Sequence, residues 1–480
     1  MKKEKIIIIL FILLFSLLQI NLIINFGNNL VSYDPHYHRA ISDQIANEGM
    51  NANYISNAAI IIEPIYHSSL HTFSAIFSLI TGITIFNQYK FMSAIILGIT
   101  SIIIYLFSRK ITNSKLISLL TVLTFLSSNY ILTRFRMNLP ENFAILFLAL
   151  LIFILVLKPN KYLIVITLIS YMFYHFRSIV IPLILILSYA LVNYKQYLNK
   201  KSIKNIILAT VAILVITIPV LIPAIKSYLF LFLEYINIIP DWSTVAANPA
   251  LREPLNMDRI LGLTGAPFIF LFLLGLIGIK KIKGAKNRKL VISCSITSTL
   301  IAILMFIPGI YNNVPPDRFI IYAIVISMPI IATGLLLISN QKLRKPILFI
   351  LILLFITIFI VENGKDHGWA GIKKVDFDTI DFINSNYSNN IKVTYGSPYY
   401  TFLENAEWHP AYPLGLFREK SIKGFQNSLI ERYGPNKTII IAISYDGFGL
   451  IKKSNPKFFE YIEKFKIYEK GRTEVYKVQI

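Results

Sequence analysis

Residues 266–307 read APFIFLFLLGLIGIKKIKGAKNRKLVISCSITSTLIAILMFI. Two apolar runs, at about 259–279 and 289–307, flank a connection holding Lys280, Lys281, Lys283, Lys286, Arg288 and Lys289 and no acid. Each run approaches the ~20 residues an α-helix needs to cross roughly 30 Å of hydrocarbon. Lysine and arginine concentrated between two such runs mark a cytoplasmic loop. The stretch therefore reads as a helical hairpin crossing the membrane twice, with its turn inside.

The pattern continues in both directions. Further apolar runs lie at about 6–26, 66–85, 90–108, 116–133, 141–157, 161–175, 178–193, 203–223, 319–338 and 346–361. The chain of 480 residues is 55% hydrophobic and 15% charged, with a mean hydropathy of +0.61. A soluble chain carries about 25% charged residues, so lipid must cover much of this surface. The single cysteine, Cys294, lies inside an apolar run and excludes an intrachain disulfide and a cysteine-based metal site. Lys2, Lys3 and Lys5 precede the first run, which is long for a signal peptide and lacks an Ala-x-Ala site. It reads as an uncleaved first span.

Charge decides which runs cross. If 66–85 stays on the outer face, the inner connections hold Lys2, Lys3 and Lys5; Arg109, Lys110 and Lys115; Lys158 and Lys161; Lys195, Lys200, Lys201 and Lys204; the six of the opening hairpin; and Lys342, Arg344 and Lys345. Glu4 is the only acid among them, so these segments hold +20 of the chain's formal +22. The basicity is thus a topology signal and not a nucleic-acid surface. If 66–85 crossed, every later loop would invert. Its first half also carries His67, Ser68, Ser69, His71 and Thr72, too polar for a span and suited to a helix in the interface. The expectation is a polytopic α-helical multi-pass protein of the cell membrane with about eleven spans. Its N-terminus is cytoplasmic, and residues 1–361 form a membrane module with an outer loop at 27–89.

From Glu362 onward charged and turn residues return. Residues 362–480 read as a small extracytoplasmic α/β domain. A helix is expected near 377–387, strands near 391–395, 438–444 and 474–480, and a helix near 456–465. Sequons at Asn386 and Asn436 agree with an exported location. No internal repeat is visible.

With topology set, polar residues gather on the outer face. The first outer loop holds Asp34-Pro35-His36-Tyr37-His38 and Glu63-Pro64-Ile65-Tyr66; later ones hold Arg134, Arg136 and Glu141, then His175 and Arg177, then Asp317 and Arg318. Each has a structural explanation. Asp34 before proline makes an N-cap, Glu141 after Pro140 complements a helix dipole, Asp317 caps a span, and Arg177 and Arg318 snorkel to headgroups. His36 and His38 have the side chains of metal ligands, but two histidines at that spacing are a weak signal. Together the set supplies acid–base groups and fixed positive charge on one membrane face. A sugar carried on a polyprenyl phosphate needs both. A carboxylate deprotonates the acceptor hydroxyl, and arginine, with its bidentate fork, stabilises the departing phosphate.

This order resembles the GT-C superfamily of integral membrane glycosyltransferases, which includes protein mannosyltransferases, lipid A aminoarabinose transferases and oligosaccharyltransferase catalytic subunits. A first span is followed by an outer loop with an early aspartate, an interfacial Pro-Ile-Tyr helix, two spans and a loop ending in an acid. Asp34-Pro35-His36-Tyr37-His38 is similar to the Asp-Pro-x-Tyr-His start of archaeal oligosaccharyltransferases, and Glu63-Pro64-Ile65-Tyr66 to a Pro-Pro-Leu-Tyr stretch of aminoarabinose and mannosyl transferases. The similarity covers roughly residues 1–200; beyond them it is one of architecture.

The resemblance implies Asp34 as general base, Glu141 as second acidic position and Arg318 near the lipid phosphate. His36, His38, Glu63, Tyr66, Arg134, Arg136, His175, Arg177 and Asp317 are the remaining candidates for substrate contact. The implied donor is a polyprenyl- or dolichyl-phosphate sugar and the acceptor a lipid, glycan or protein, with no cofactor. The Trp-Trp-Asp-Tyr-Gly motif of oligosaccharyltransferases is absent, and Ser444-Tyr445-Asp446-Gly447 does not replace it. That argues against en bloc transfer to asparagine and against metal dependence. A lipid-linked glycan polymerase or ligase, a flippase-like transporter and a non-enzymatic scaffold are the competing readings.

Overall fold

The computed structural model describes residues 38–39, 42–43, 45–47, 63–136, 139–157, 160–175, 178–194, 257–305, 316–339, 344–364, 374–388, 390–395, 423–424, 426–427, 430, 434–443, 460–470 and 473–479. The chain forms two compact units. One comprises Met1–Asn25, Ile65–Leu70 and Phe91–Asp366; the other Phe26–Pro64, His71–Lys90 and His367–Ile480.

Helices dominate the described chain before residue 365: α1 Glu63–Thr81, α2 Ile85–Thr112, α3 Lys115–Leu126, α4 Asn129–Arg136, α5 Pro140–Leu157, α6 Lys161–His175, α7 Val180–Val192, α8 Met257–Thr264, α9 Ala266–Gly278, α10 Ala285–Met305, α11 Pro316–Ser339 and α12 Arg344–Gly364. Among the described residues three helices are long and apolar enough to span a membrane: α2, α5 and Phe319–Ser339 of α11. The pair α3 and α4 makes a fourth when taken as one span bent by 70°. The apolar runs expected at 6–26 and 203–223 lie outside the described residues.

Two runs expected to be continuous are interrupted. The run 116–133 breaks at Ser127 and Ser128. The Ser127 hydroxyl donates to the Thr124 carbonyl at 3.0 Å, a local bond that competes with the helical ladder. The run 259–279 breaks at Gly265, whose φ of +87° suits a residue without a Cβ. The breaks meet: Ser128 Oγ donates to the Leu263 carbonyl at 3.2 Å and Asn129 Nδ2 to that of Gly262 at 3.4 Å. Elsewhere, Asn287 Nδ2 donates to the Lys110 carbonyl at 3.2 Å, and Lys286 Nζ donates to the Leu157 carbonyl. Three connections that the charge pattern assigns to one side of the membrane are thus tied together at one end of their helices.

Helices α9 and α11 pack through glycine. A Cβ on Gly275 would lie 2.1 Å from the Ile330 carbonyl oxygen, and one on Gly334 2.3 Å from that of Leu271. Backbones approach this closely in lipid because small residues let van der Waals packing replace the missing hydrophobic drive.

In the second unit, residues 71–83 invert the polarity of a soluble helix. His71, Ser74 and Ala75 are buried, while Leu79 and Ile80 are 70% and 79% exposed. An apolar outer face over a polar inner one is the pattern of a helix facing lipid. The C-terminal part carries helix α13 Lys374–Tyr387 and strands β1 Ile391–Tyr395, β2 Thr438–Ile443, β3 Lys466–Lys470 and β4 Thr473–Gln479. The sheet order is β1-β2-β4-β3, parallel between β1 and β2 and antiparallel elsewhere. Ile380 and Ile383 of α13 pack on Ile440, Ala442 and Val475, and Thr379 Oγ1 meets Thr473 Oγ1 at 2.8 Å. The strand β3 was not expected. Its Lys-Ile-Tyr-Glu-Lys sequence buries no residue fully, so it carries little apolar signal.

Candidate active site

The structure brings together three of the residues singled out in sequence. Glu141 occupies the first turn of α5, one residue after Pro140, where the helix dipole favours a carboxylate. Arg134 sits on α4, six residues after the serine break that turns this helix away from α3. His175 ends α6. Arg134 Nη1 approaches Glu141 Oε2 at 3.4 Å, and His175 Nε2 approaches Glu141 Oε1 at 3.6 Å. Glu141 and His175 are each 5% exposed. Arg134 is held on its other side by Tyr130, whose hydroxyl accepts from Nη2 at 2.9 Å and whose ring centroid lies 5.2 Å from the guanidinium carbon. A carboxylate buried this deeply is tolerated because cation, imidazole and helix terminus converge on it.

Behind His175 lies a group of hydroxyls to which the sequence reading gave no role, although it placed Ser178 in the same outer turn. Nδ1 is 2.6 Å from Ser178 Oγ and 3.2 Å from Tyr322 Oη, and Tyr171 Oη is 2.6 Å from Ser178 Oγ. Ser178 lies three residues beyond the end of α6, Tyr171 stands one helical turn before His175, and Tyr322 belongs to α11. Helical spacing was the available signal: Tyr171 is four residues from His175, and Tyr322 four from Arg318.

The other candidates are not assembled here. Asp34, His36 and Arg177 lie outside the described residues. Glu63 and Tyr66 fall on α1, Arg136 on the last turn of α4, and Asp317 and Arg318 on the first turn of α11; only these backbone positions are described. His38 belongs to the second unit, where its Nδ1 is 2.9 Å from His71 Nε2. Ser42 Oγ donates to the His38 carbonyl at 2.9 Å and lies 3.1 Å from Tyr89 Oη. Burial, then the charge of His38, holds His71 well below the ordinary histidine pKa. Beside this pair, Arg39 Nε donates to Asp43 Oδ2 at 2.9 Å. Among the described residues no three His, Cys, Asp or Glu side chains converge as a metal site would require.

The fold has a counterpart among solved structures. ArnT from Cupriavidus metallidurans, in one structure bound to undecaprenyl phosphate and in another in the apo state, matches with a TM-score of 0.62 at 11% identity. Each match covers 98% of this chain and 97% of the other. The fold is therefore shared with ArnT. Residues 5–374 match the EpsG family, and the chain belongs to that family. A comparison with curated protein sequences finds no match.

Proposed function

We propose that this protein is an inverting glycosyltransferase that takes a sugar from a polyprenyl- or dolichyl-phosphate carrier at the extracytoplasmic membrane face. The acceptor oxygen attacks the anomeric carbon, and the bond from that carbon to the phosphate oxygen breaks. The lipid phosphate leaves with the electron pair, and the acceptor proton passes to Asp34. Glu141, oriented by Arg134 and His175, binds donor or acceptor hydroxyls. Arg136, Arg177 and Arg318 meet the phosphate, while Asp317, Glu63, Tyr66, His36 and His38 contribute to the substrate surface. No metal enters the scheme.

The observation that carries the reading is the buried Arg134–Glu141–His175 cluster in a chain with the fold of a protein that has been seen with undecaprenyl phosphate. A transporter would place charged groups midway along its spans. Here α5 carries no Asp, Glu, Lys or Arg beyond Glu141 in its first turn, and α11 none beyond Asp317 and Arg318. Polymerisation uses the same bond chemistry with a lipid-linked glycan as acceptor, and differs only in the product.

The test incubates membranes carrying wild type or Asp34→Asn with radiolabelled polyprenyl-phosphate sugars and follows label into lipid, glycan and protein. Transfer that disappears in the variant is expected. Label entering a growing glycan selects the polymerase; equal transfer by both proteins removes Asp34 as the base.

A further inference from the structure

We infer that Ser178, Tyr322 and Tyr171 are positioning residues that hold His175 as the neutral tautomer with its proton on Nε2, directed at Glu141. The inference rests on the reading of Glu141 as a site carboxylate and adds a role to residues that reading leaves idle.

The argument is one of donors and acceptors. An ionised carboxylate only accepts, a hydroxyl does either, and a neutral imidazole offers one donor and one acceptor. His175 turns Nε2 to Glu141 Oε1 at 3.6 Å and Nδ1 to the hydroxyls of Ser178 at 2.6 Å and Tyr322 at 3.2 Å. A proton on Nδ1 would leave the Nε2 lone pair facing a carboxylate in a site where both residues are 5% exposed. A proton on Nε2 removes that opposition and lets Nδ1 accept a hydroxyl proton. The partner of one ring nitrogen thereby sets what the other presents.

Tyr171 completes the set. Its Oη lies 2.6 Å from Ser178 Oγ and 3.3 Å from the Ser178 carbonyl oxygen. Donation from Tyr171 into Ser178 Oγ leaves the serine's own proton for Nδ1. Ser178 Oγ can also donate to Tyr322 Oη at 3.1 Å and to the His175 carbonyl at 3.3 Å, both longer than its 2.6 Å to Nδ1, and these contacts fix it between α6 and α11. At 3.6 Å the ring orients the carboxylate by charge–dipole attraction and not by a close hydrogen bond. Catalytic contacts outside their substrate complexes commonly show such separations.

The test uses full-length protein in lipid with ¹⁵N-labelled histidine, the His175 signals being identified by their loss in His175→Gln. Wild type should show an unprotonated Nδ1 and a protonated Nε2. Tyr322→Phe and Ser178→Ala should each raise the Nδ1-protonated population. Each should also lower kcat by about ten- to a hundred-fold with KM little changed, short of the upper end of the roughly 10²–10⁴ supplied by a proton-transferring group itself. Ser178→Thr, which keeps the hydroxyl, should restore both readouts. A protonated Nδ1 in wild type overturns the inference, as do variants that keep the wild-type tautomer and kcat. Absence of transfer from every donor by wild type sinks the functional reading alone, and the nitrogen spectrum still decides the tautomer.

Discussion

Replacing Glu141 by Gln keeps the shape of the side chain and removes its charge. The consequence follows from what surrounds it. Arg134, 3.4 Å away with a side chain 11% exposed, would remain charged with its main counter-ion gone. At an effective dielectric of ~20, unit charges at that distance attract by about 5 kcal/mol. The solvation that each group gave up offsets part of this. Removing one partner of a buried pair costs about 3–5 kcal/mol. The Tyr130 hydroxyl and ring still hold the guanidinium, which favours the lower end, about 3 kcal/mol.

Arg134→Met should cost a similar amount, since it strands the carboxylate. The double variant strands neither, so its cost should fall short of the sum of the singles by about 2 kcal/mol, within the range seen for contacting residues. Thermal unfolding in one detergent reads this as a drop of about 3 °C for each single variant, with partial recovery in the double. Sugar transfer should behave oppositely. All three variants should lose on the order of a hundred-fold or more, as when a transition-state electrostatic contact is removed. Additive stability losses would refute the buried pair, and full transfer by Glu141→Gln would refute its place in the site.

Gly275→Leu should weaken the bundle by on the order of 3 kcal/mol, because its Cβ would meet the Ile330 carbonyl at 2.1 Å; Gly284→Asn, with nothing within 4 Å but a φ of +89°, should cost only the backbone strain, about 1 kcal/mol, in the same melting assay. His71 makes folding pH-dependent: its folded pKa is depressed, so below about 6.5 the unfolded chain binds a proton the folded chain refuses, and stability falls with pH by up to ~1.4 kcal/mol per unit. Melting between pH 7.5 and 5.5 should show that slope, and His71→Gln should flatten it. Cys294 is fully buried, so single engineered cysteines report topology against a silent background. On intact cells an impermeant maleimide should label Lys437→Cys and spare Lys283→Cys; the reverse would overturn the charge-based orientation.

The bundle was legible because apolar length and loop charge are one-dimensional quantities, and the described helices fall on the runs they mark. The breaks at Ser127 and Gly265 were not, since a window average does not register one hydroxyl or one positive φ. Arg134, Glu141 and His175 could be grouped beforehand because topology places the ends of α4, α5 and α6 together. The hydroxyls behind His175 could not. Within the described helices Ser118, Thr121, Thr124, Ser293, Ser295, Thr297 and Thr333 all donate to their own carbonyl four residues back. In sequence Ser178 looks the same as these, and only the position of α11 distinguishes it. The His38–His71 contact is similarly opaque, joining residues 33 positions apart.

The glycine packing and the site chemistry are connected through one helix. Ile330 and Gly334 of α11 lie in backbone contact with α9, while Tyr322, eight residues earlier, reaches His175 at 3.2 Å. Eight helical residues span about 12 Å, and the interval includes Pro329, which removes one backbone hydrogen bond from the ladder. A hydrogen bond of this kind weakens within a few tenths of an ångström beyond its range, whereas admitting a side chain at Gly275 requires a shift of more than that. Separation of α9 from α11 should therefore release Tyr322 from His175 before the bundle comes apart. On this reasoning Gly275→Ala, milder than leucine and compatible with a folded protein, should lose transfer and the Nε2-protonated signature of His175 together. Retention of that signature with transfer lost would place the defect at the first turn of α11, where Asp317 and Arg318 sit.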